Sequence, residues 1–218
     1  MPATGPGAYG SGDLGDWTAG SKAISAPSRI DEADVWLLGD SLTVAGWNDF
    51  AVDIHASHGL VTATNGWSGR PTAPTVDVLA DWVATYGPPR VLVMASGTND
   101  IFGPATQGPP HLAAQIDRVM QIVGPSVPVV WVEVHIARWL KADYIQYADQ
   151  RNSGWVNGIL WEAAGRHDNL SVSIWERYLS AKPSRVPAYL SDGVHTNTTG
   201  MNARNELLRQ EVVRRLGL

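Results

Sequence analysis

Residues 35–42 read Val35-Trp36-Leu37-Leu38-Gly39-Asp40-Ser41-Leu42, an apolar run that stops on a glycine, an acid and a hydroxyl. Four apolar residues without polar alternation describe a strand covered on both faces, as in a parallel sheet. The polar residues after it fall where such a strand leaves the sheet, and ligands of open parallel sheets gather outside the carboxyl ends of the strands. Further short β-rich runs follow at 60–63, 91–95, 127–134 and 170–174, alternating with longer helical patterns. Thr75 to Tyr86 places Val76, Leu79, Trp82, Val83 and Tyr86 on one helical face and stops at Gly87-Pro88-Pro89. His111 to Val123 repeats the device, with Leu112, Ile116, Val119, Met120 and Val123 inward and Gly124-Pro125 as the stop. A helix is expected within Tyr144 to Ala164, with Ser153-Gly154 as a candidate interruption. A last helix is expected over Met201 to Leu216, with Thr198 or Thr199 as its cap. This alternation predicts an α/β fold: a three-layer α/β/α sandwich around a five-stranded parallel sheet.

The composition narrows the function classes. A chain of 218 residues suits one ordinary domain, and its 44% hydrophobic and 17% charged residues describe a globular protein. The net charge of -5, from 21 acidic against 16 basic residues, comes with no basic run to track a phosphate backbone, so nucleic acid is not an expected partner. No apolar run reaches the ~18 residues of a membrane span. Without cysteine there is no disulfide, thiolate metal site or cysteine nucleophile, which leaves hydroxyl nucleophiles as the main candidates. Residues 1–29, rich in Gly, Pro, Ala, Ser and Thr, read as a flexible segment without chemistry, and 30–218 as a single catalytic domain. Within the former, Gly5, Gly7 and Gly10 match a G-x-G-x-x-G spacing, but no strand pattern precedes them. The opening lacks a charged and apolar leader yet resembles the mature end of an exported bacterial protein. The expectation is a secreted or cell-envelope location, with a cytoplasmic one as the alternative.

Four loops carry the chemistry: Gly39-Asp40-Ser41-Leu42, Asn65-Gly66-Trp67-Ser68-Gly69-Arg70, Gly97-Thr98-Asn99-Asp100 and Ser191-Asp192-Gly193-Val194-His195. In this order and at these distances they resemble the blocks of the SGNH (GDSL-like) hydrolase family, and the resemblance covers nearly all of Val35 to Leu218. GDS alone is weak, but GDSL, an N-x-x-x-G turn, GTND and D-x-x-H together are highly specific. The resemblance implies a flavodoxin-like SGNH hydrolase fold, a nucleophile at Ser41 and a triad completed by Asp192 and His195. It also implies an oxyanion hole built from the backbone N–H groups of Ser41 and Gly69 and the side-chain amide of Asn99.

Chemistry wants the same residues. A serine hydroxyl needs an adjacent base, and the base needs a third group to hold its tautomer. Three residues apart on one loop, Asp192 can fold back onto one ring nitrogen of His195 while the other points to Ser41, and Gly193 permits the bend. Glycine lets a carbonyl approach the main chain, and asparagine donates without adding charge. The alternative G-x-S-x-G elbow is absent around Ser41, and Gly66-Trp67-Ser68-Gly69 misses its spacing.

The implied activity is hydrolysis of a carboxylic ester, of short acyl or O-acetyl groups on a small molecule or glycan. Transfer of the acyl group to an alcohol or sugar and a silent carbohydrate-binding module are the rival readings. Trp36, Trp82, Trp131 and Trp161 fall in apolar patterns and read as core. Trp47, Trp67 and Trp139 lie beside polar motifs and are candidate stacking surfaces, with Arg70 a candidate partner for an acidic substrate group or a solvated arginine. Loops 102–110, 136–149 and 178–190 are expected to shape the pocket, and Asp40 and Asp100 to support their loops through backbone hydrogen bonds. His55, His58, His111, His135 and His167 are scattered and read as surface or helix-end residues. No metal or cofactor is expected, and the oligomeric state is left open.

Overall fold

From the amino end of the computed structural model, which describes residues 10–102 and 109–218, a short turn of 3-10 helix at Trp17–Ala19 leads into β1 (Lys22–Ile24) and α1 (Pro27–Asp31). The apolar run then forms β2 (Val35–Gly39), followed by α2 (Ser41–His58), β3 (Thr62–Trp67), α3 (Thr72–Tyr86) and β4 (Val91–Ala95). A 3-10 turn at Thr98–Ile101 precedes α4 (Pro109–Val123), β5 (Val129–Val132), α5 (Asp143–Ala164) and β6 (Leu170–Ser173). The chain closes with α6 (Trp175–Ser180), α7 (Arg185–Tyr189) and α8 (Thr198–Leu216).

Among the described residues the sheet has six strands in the order β1-β3-β2-β4-β5-β6, with β2 to β6 parallel and β1 antiparallel at the edge beside β3. Strand residues point alternately to the two faces. Trp36, Leu38, Leu92, Met94 and Trp131 meet Val76, Leu79, Ile116 and Leu160 of the α3, α4 and α5 layer. Val35, Leu37, Val93 and Val130 meet Phe50, Ile54, Leu208 and Val212 of α2 and α8. This is the expected three-layer sandwich. The chain steps from β2 to β3 on one side and then back past β2 to β4, so the strand order reverses at the carboxyl end of β2, where a ligand crevice forms.

The expected five strands become six because the segment 1–29 is not wholly a tail. Lys22-Ala23-Ile24 is too short to show a period, and the free edge of β3 supplies its pairing. Helix α1 straddles the expected boundary at residue 29. Further towards the amino end, the Arg138 guanidinium donates to the Ser11 carbonyl (2.7 Å), and Asn152 Nδ2 donates to Ser11 Oγ (2.7 Å). Residues 1–9, including Gly5 and Gly7, and residues 103–108 of an expected pocket loop lie outside the described residues.

Several element bounds also move. The strand expected at 60–63 runs over Thr62–Trp67, because flanking strands on both sides pair Asn65 and Gly66 despite their low strand propensity. Asp40 caps α2, its Oδ1 accepting the N–H of Leu42 at 3.0 Å. Asn197, not a threonine, caps α8. Helix α5 continues through Ser153-Gly154, where Ser153 donates its hydroxyl to the Asp149 carbonyl.

Candidate active site

Three parallel strands end almost level: Gly39 of β2 pairs with Gly66 of β3 and with Ala95 of β4. That register brings the loops holding Ser41, Ser68 to Arg70 and Asn99 to one edge of the sheet. Ser41 opens α2, so its backbone N–H is one of the first-turn donors without an intrahelical acceptor. Opposite stands the loop before α8. The Leu190–Thr196 bridge and the Ser191 N–H to His195 carbonyl bond (2.7 Å) close it tightly, and Gly193 has φ +90°. A Cβ at Gly193 would lie 1.9 Å from the Ala137 carbonyl oxygen, so only glycine fits this approach.

Ser41 Oγ lies 2.9 Å from His195 Nε2, and His195 Nδ1 lies 2.8 Å from Asp192 Oδ2. With the Nδ1 proton donated to the carboxylate, Nε2 offers a lone pair to the serine hydroxyl. The other Asp192 oxygen accepts the N–H groups of Val194 (2.9 Å) and His195 (2.8 Å). Partial burial would raise the Asp192 pKa, but hydrogen bonds from the His195 ring and from these two backbone groups outweigh it and hold the carboxyl below its usual range. Asp192 therefore stays ionised through mildly acidic pH.

Gly69 adopts φ +82°, and a Cβ there would stand 3.0 Å from Cβ of Trp17, so both the backbone conformation and the space favour glycine. Asn99 is buried and donates through Nδ2 to the Arg70 carbonyl at 3.2 Å, leaving its second N–H free of that bond. Asp100, 2% exposed, accepts the N–H (3.0 Å) and hydroxyl (2.7 Å) of Thr72, tying the 98–101 turn to the start of α3. Burial, opposed by these Thr72 bonds, raises its pKa to about 6. Asp40 is also buried and raised by desolvation, against the attraction of the buried Arg204. Asp40 and Asp100 thus support their loops as the sequence suggested.

Arg70 departs from both of its expected roles. It is 1% exposed, neither solvated nor open to substrate. Its guanidinium donates to Asn65 Oδ1 (2.8 Å), the Asn65 carbonyl (2.7 Å) and the Gly39 carbonyl (3.1 Å). Burial lowers its pKa to about 10, which leaves it charged at neutral pH. Trp67 is half-buried, with Lys22 Nζ 3.7 Å from its ring centroid and Trp17 edge-on at 5.1 Å. Trp47 lines a groove of about 520 Å³ with Ile24, Val52 and His55, and that groove includes none of Ser41, Asp192 and His195. Trp139 packs, half-buried, against the core on the α2 and α8 side of the sheet, two residues after Ala137, whose N–H donates to the Gly193 carbonyl of the His195 loop.

Sequence reasoning missed the ion pair of the half-buried Arg138 with the buried Asp149 (2.7 Å), which anchors the loop after β5, because Arg138 lies in that loop and no helical face relates it to Asp149 of α5. His135 is not a plain surface residue: it lies against Glu176 and lines a separate cavity of about 280 Å³ with Ser153 and Ser180. Among the described residues no group of three or more His, Cys, Asp or Glu side chains is arranged to hold a metal ion, and no helix is long and apolar enough to cross a membrane.

The sequence from 37 to 203 matches the family model described as GDSL-like lipase/acylhydrolase, and the chain belongs to that family. Solved structures share the fold at low identity. A GDSL-like lipase from Bacteroides thetaiotaomicron superposes with a TM-score of 0.65 at 19% identity, over 88% of this chain and 92% of that one. An acetyl xylan esterase, AlAXEase, gives 0.63 at 19% identity, over 82% and 98%. The C-terminal catalytic domain of peptidoglycan O-acetyltransferase A from Streptococcus pneumoniae gives 0.61 at 15% identity, over 89% and 94%. No curated protein sequence matches the chain.

Proposed function

We propose that the protein is a serine esterase that cleaves short acyl or O-acetyl esters, with Ser41, His195 and Asp192 as its triad. The observation that carries this reading is the continuous relay from Ser41 Oγ through His195 to Asp192, at 2.9 and 2.8 Å. His195 Nε2 takes the hydroxyl proton as Ser41 Oγ bonds to the ester carbonyl carbon. The N–H groups of Ser41, Gly69 and Asn99 receive the oxyanion, each donor contributing ~3 kcal/mol to the transition state. Collapse breaks the bond to the alcohol, which leaves with the proton from His195. Water, deprotonated by the same imidazole, then attacks the acyl-enzyme and releases the acid and Ser41.

The His195 side chain is 47% exposed, which gives that water a direct approach and favours hydrolysis. The same exposure admits an alcohol, and the fold shared with an O-acetyltransferase supports acyl transfer as the second reading. A glycan ester is the substrate class we favour, since the stacked Tyr178 and Tyr189 lie in the segment that leads directly into the His195 loop and an acetyl xylan esterase shares the fold. The catalytic unit is one domain that includes β1. A secreted or cell-envelope location fits this substrate class.

The test is a panel of nitrophenyl esters of increasing acyl length and acetylated glycans, read against Ser41→Ala, with and without a sugar acceptor. Turnover of acetyl esters that vanishes in the variant, and a phosphonate adduct on Ser41 by mass spectrometry, are the expected results. Wild-type turnover by Ser41→Ala defeats the triad, and acylated acceptor as the main product moves the assignment to a transferase.

A further inference from the structure

We infer that Arg70 is a positioning residue that holds the three oxyanion donors in one frame. The inference rests on the esterase reading and adds a part to it. Two of the guanidinium's bonds go to Asn65, within β3, and the third goes to the Gly39 carbonyl at the end of β2. Since Asn65 pairs with Leu38 and Gly66 with Gly39, the guanidinium straps the last rungs of the β2–β3 ladder, immediately before Asp40 and Ser41. The direction of the Gly39 carbonyl sets the peptide that leads to the Ser41 N–H.

The main chain of the same residue reaches the other two donors. Its N–H bonds the Trp67 carbonyl at 3.1 Å and closes the turn in which Gly69 takes its positive φ. Its carbonyl accepts one N–H of Asn99, which fixes the amide plane and aims the remaining N–H. Asn99 is thus hydrogen-bonded to Arg70, Gly69 is its chain neighbour, and Ser41 stands two residues after the Gly39 that its fork holds. At 1% exposure the fork is shielded from solvent, and its removal takes a donor from two carbonyls and an amide oxygen. Nη2 alone serves the Gly39 and Asn65 carbonyls while Nη1 serves Asn65 Oδ1; a lysine carries one nitrogen, a bond short of Nη2, and cannot stand at both places.

Arg70→Lys and Asn65→Ala, the latter leaving the arginine in place, test this alongside wild type and Ser41→Ala. Thermal unfolding, kcat and KM for p-nitrophenyl acetate, and the rate of Ser41 labelling by a p-nitrophenyl phosphonate are the measurements. Displacing a donor by a fraction of an ångström to an ångström predicts that Arg70→Lys lowers kcat and the labelling rate ~10–100-fold with KM changed less than about threefold. Asn65→Ala should lose less, up to about tenfold. A folded Arg70→Lys with wild-type kcat and labelling rate overturns the inference and leaves only a structural role. A raised KM at unchanged kcat overturns it in favour of substrate binding. Should Arg70→Lys not fold, Asn65→Ala decides on the same criteria. Should wild type not turn over the acetate, the labelling rate decides. Full turnover by Ser41→Ala is a separate failure, that of the esterase reading itself.

Discussion

Two polar regions meet at the carboxyl edge of the sheet, and they are built in opposite ways. The line from Ser41 to Asp192 stands at the surface, with the His195 and Asp192 side chains 47% and 39% exposed. Arg70, Asn65, Asn99, Asp100 and Thr72 lie beneath it, buried and hydrogen-bonded. Groups that must meet substrate and exchange protons with water need exposure, and their exposed contacts contribute little to stability. Groups that fix where donors point gain from a site without water, where a misplaced partner has nothing to replace it. The upper line should therefore govern rate with little effect on folding, and the lower frame should govern both.

Ser41→Ala is the strongest way to break this contrast: turnover should fall by at least ~10⁴-fold while Tm stays within about 2 °C, read by ester assay and calorimetry. Asp192→Asn removes the charge and favours the wrong histidine tautomer, with an expected loss of ~10³–10⁴-fold in kcat and an unchanged circular dichroism spectrum. Asn99→Ala removes one donor of the frame and should cost ~10²–10³-fold in kcat with KM nearly constant, accompanied by a lower Tm that the first two variants do not share.

The smallest effect concerns Asp100. Its folded pKa of about 6 exceeds the ~3.9 of an unfolded aspartate, so between these values the folded state binds the extra proton and stability falls as pH rises. From about pH 4.5 to about 6.5 this group should remove ~2 kcal/mol, and Asp100→Asn should lessen the fall in stability over that range by this amount. Denaturant unfolding at the two pH values measures it, and an equal slope in both proteins refutes the buried carboxyl as its source.

Much of the exposed line was legible because it depends on local order. Asp192 and His195 share one short loop, and Ser41 directly follows an apolar strand; that the two meet across 154 positions was implied by the family resemblance, not by spacing. The buried frame was not legible. Arg70 read as a substrate contact or a solvated side chain, since nothing within a few residues announces that its fork is aimed at Gly39, thirty-one positions away. Trp67 likewise read as a platform, and only the pairing of β1 with β3 sets Lys22 over its ring.

What the sequence determined by itself was the alternation of apolar strands with punctuated helices and the residues that end those strands. These follow from the chain's own periods and from glycine and proline breaks, which act over a few residues. Only the tertiary structure decided that a sixth strand forms at 22–24, that Asn65 and Gly66 are strand, and that Arg70 lies under the site. Each of those outcomes depends on a partner far along the chain, whose pairing energy outweighs local preference once the sheet has assembled.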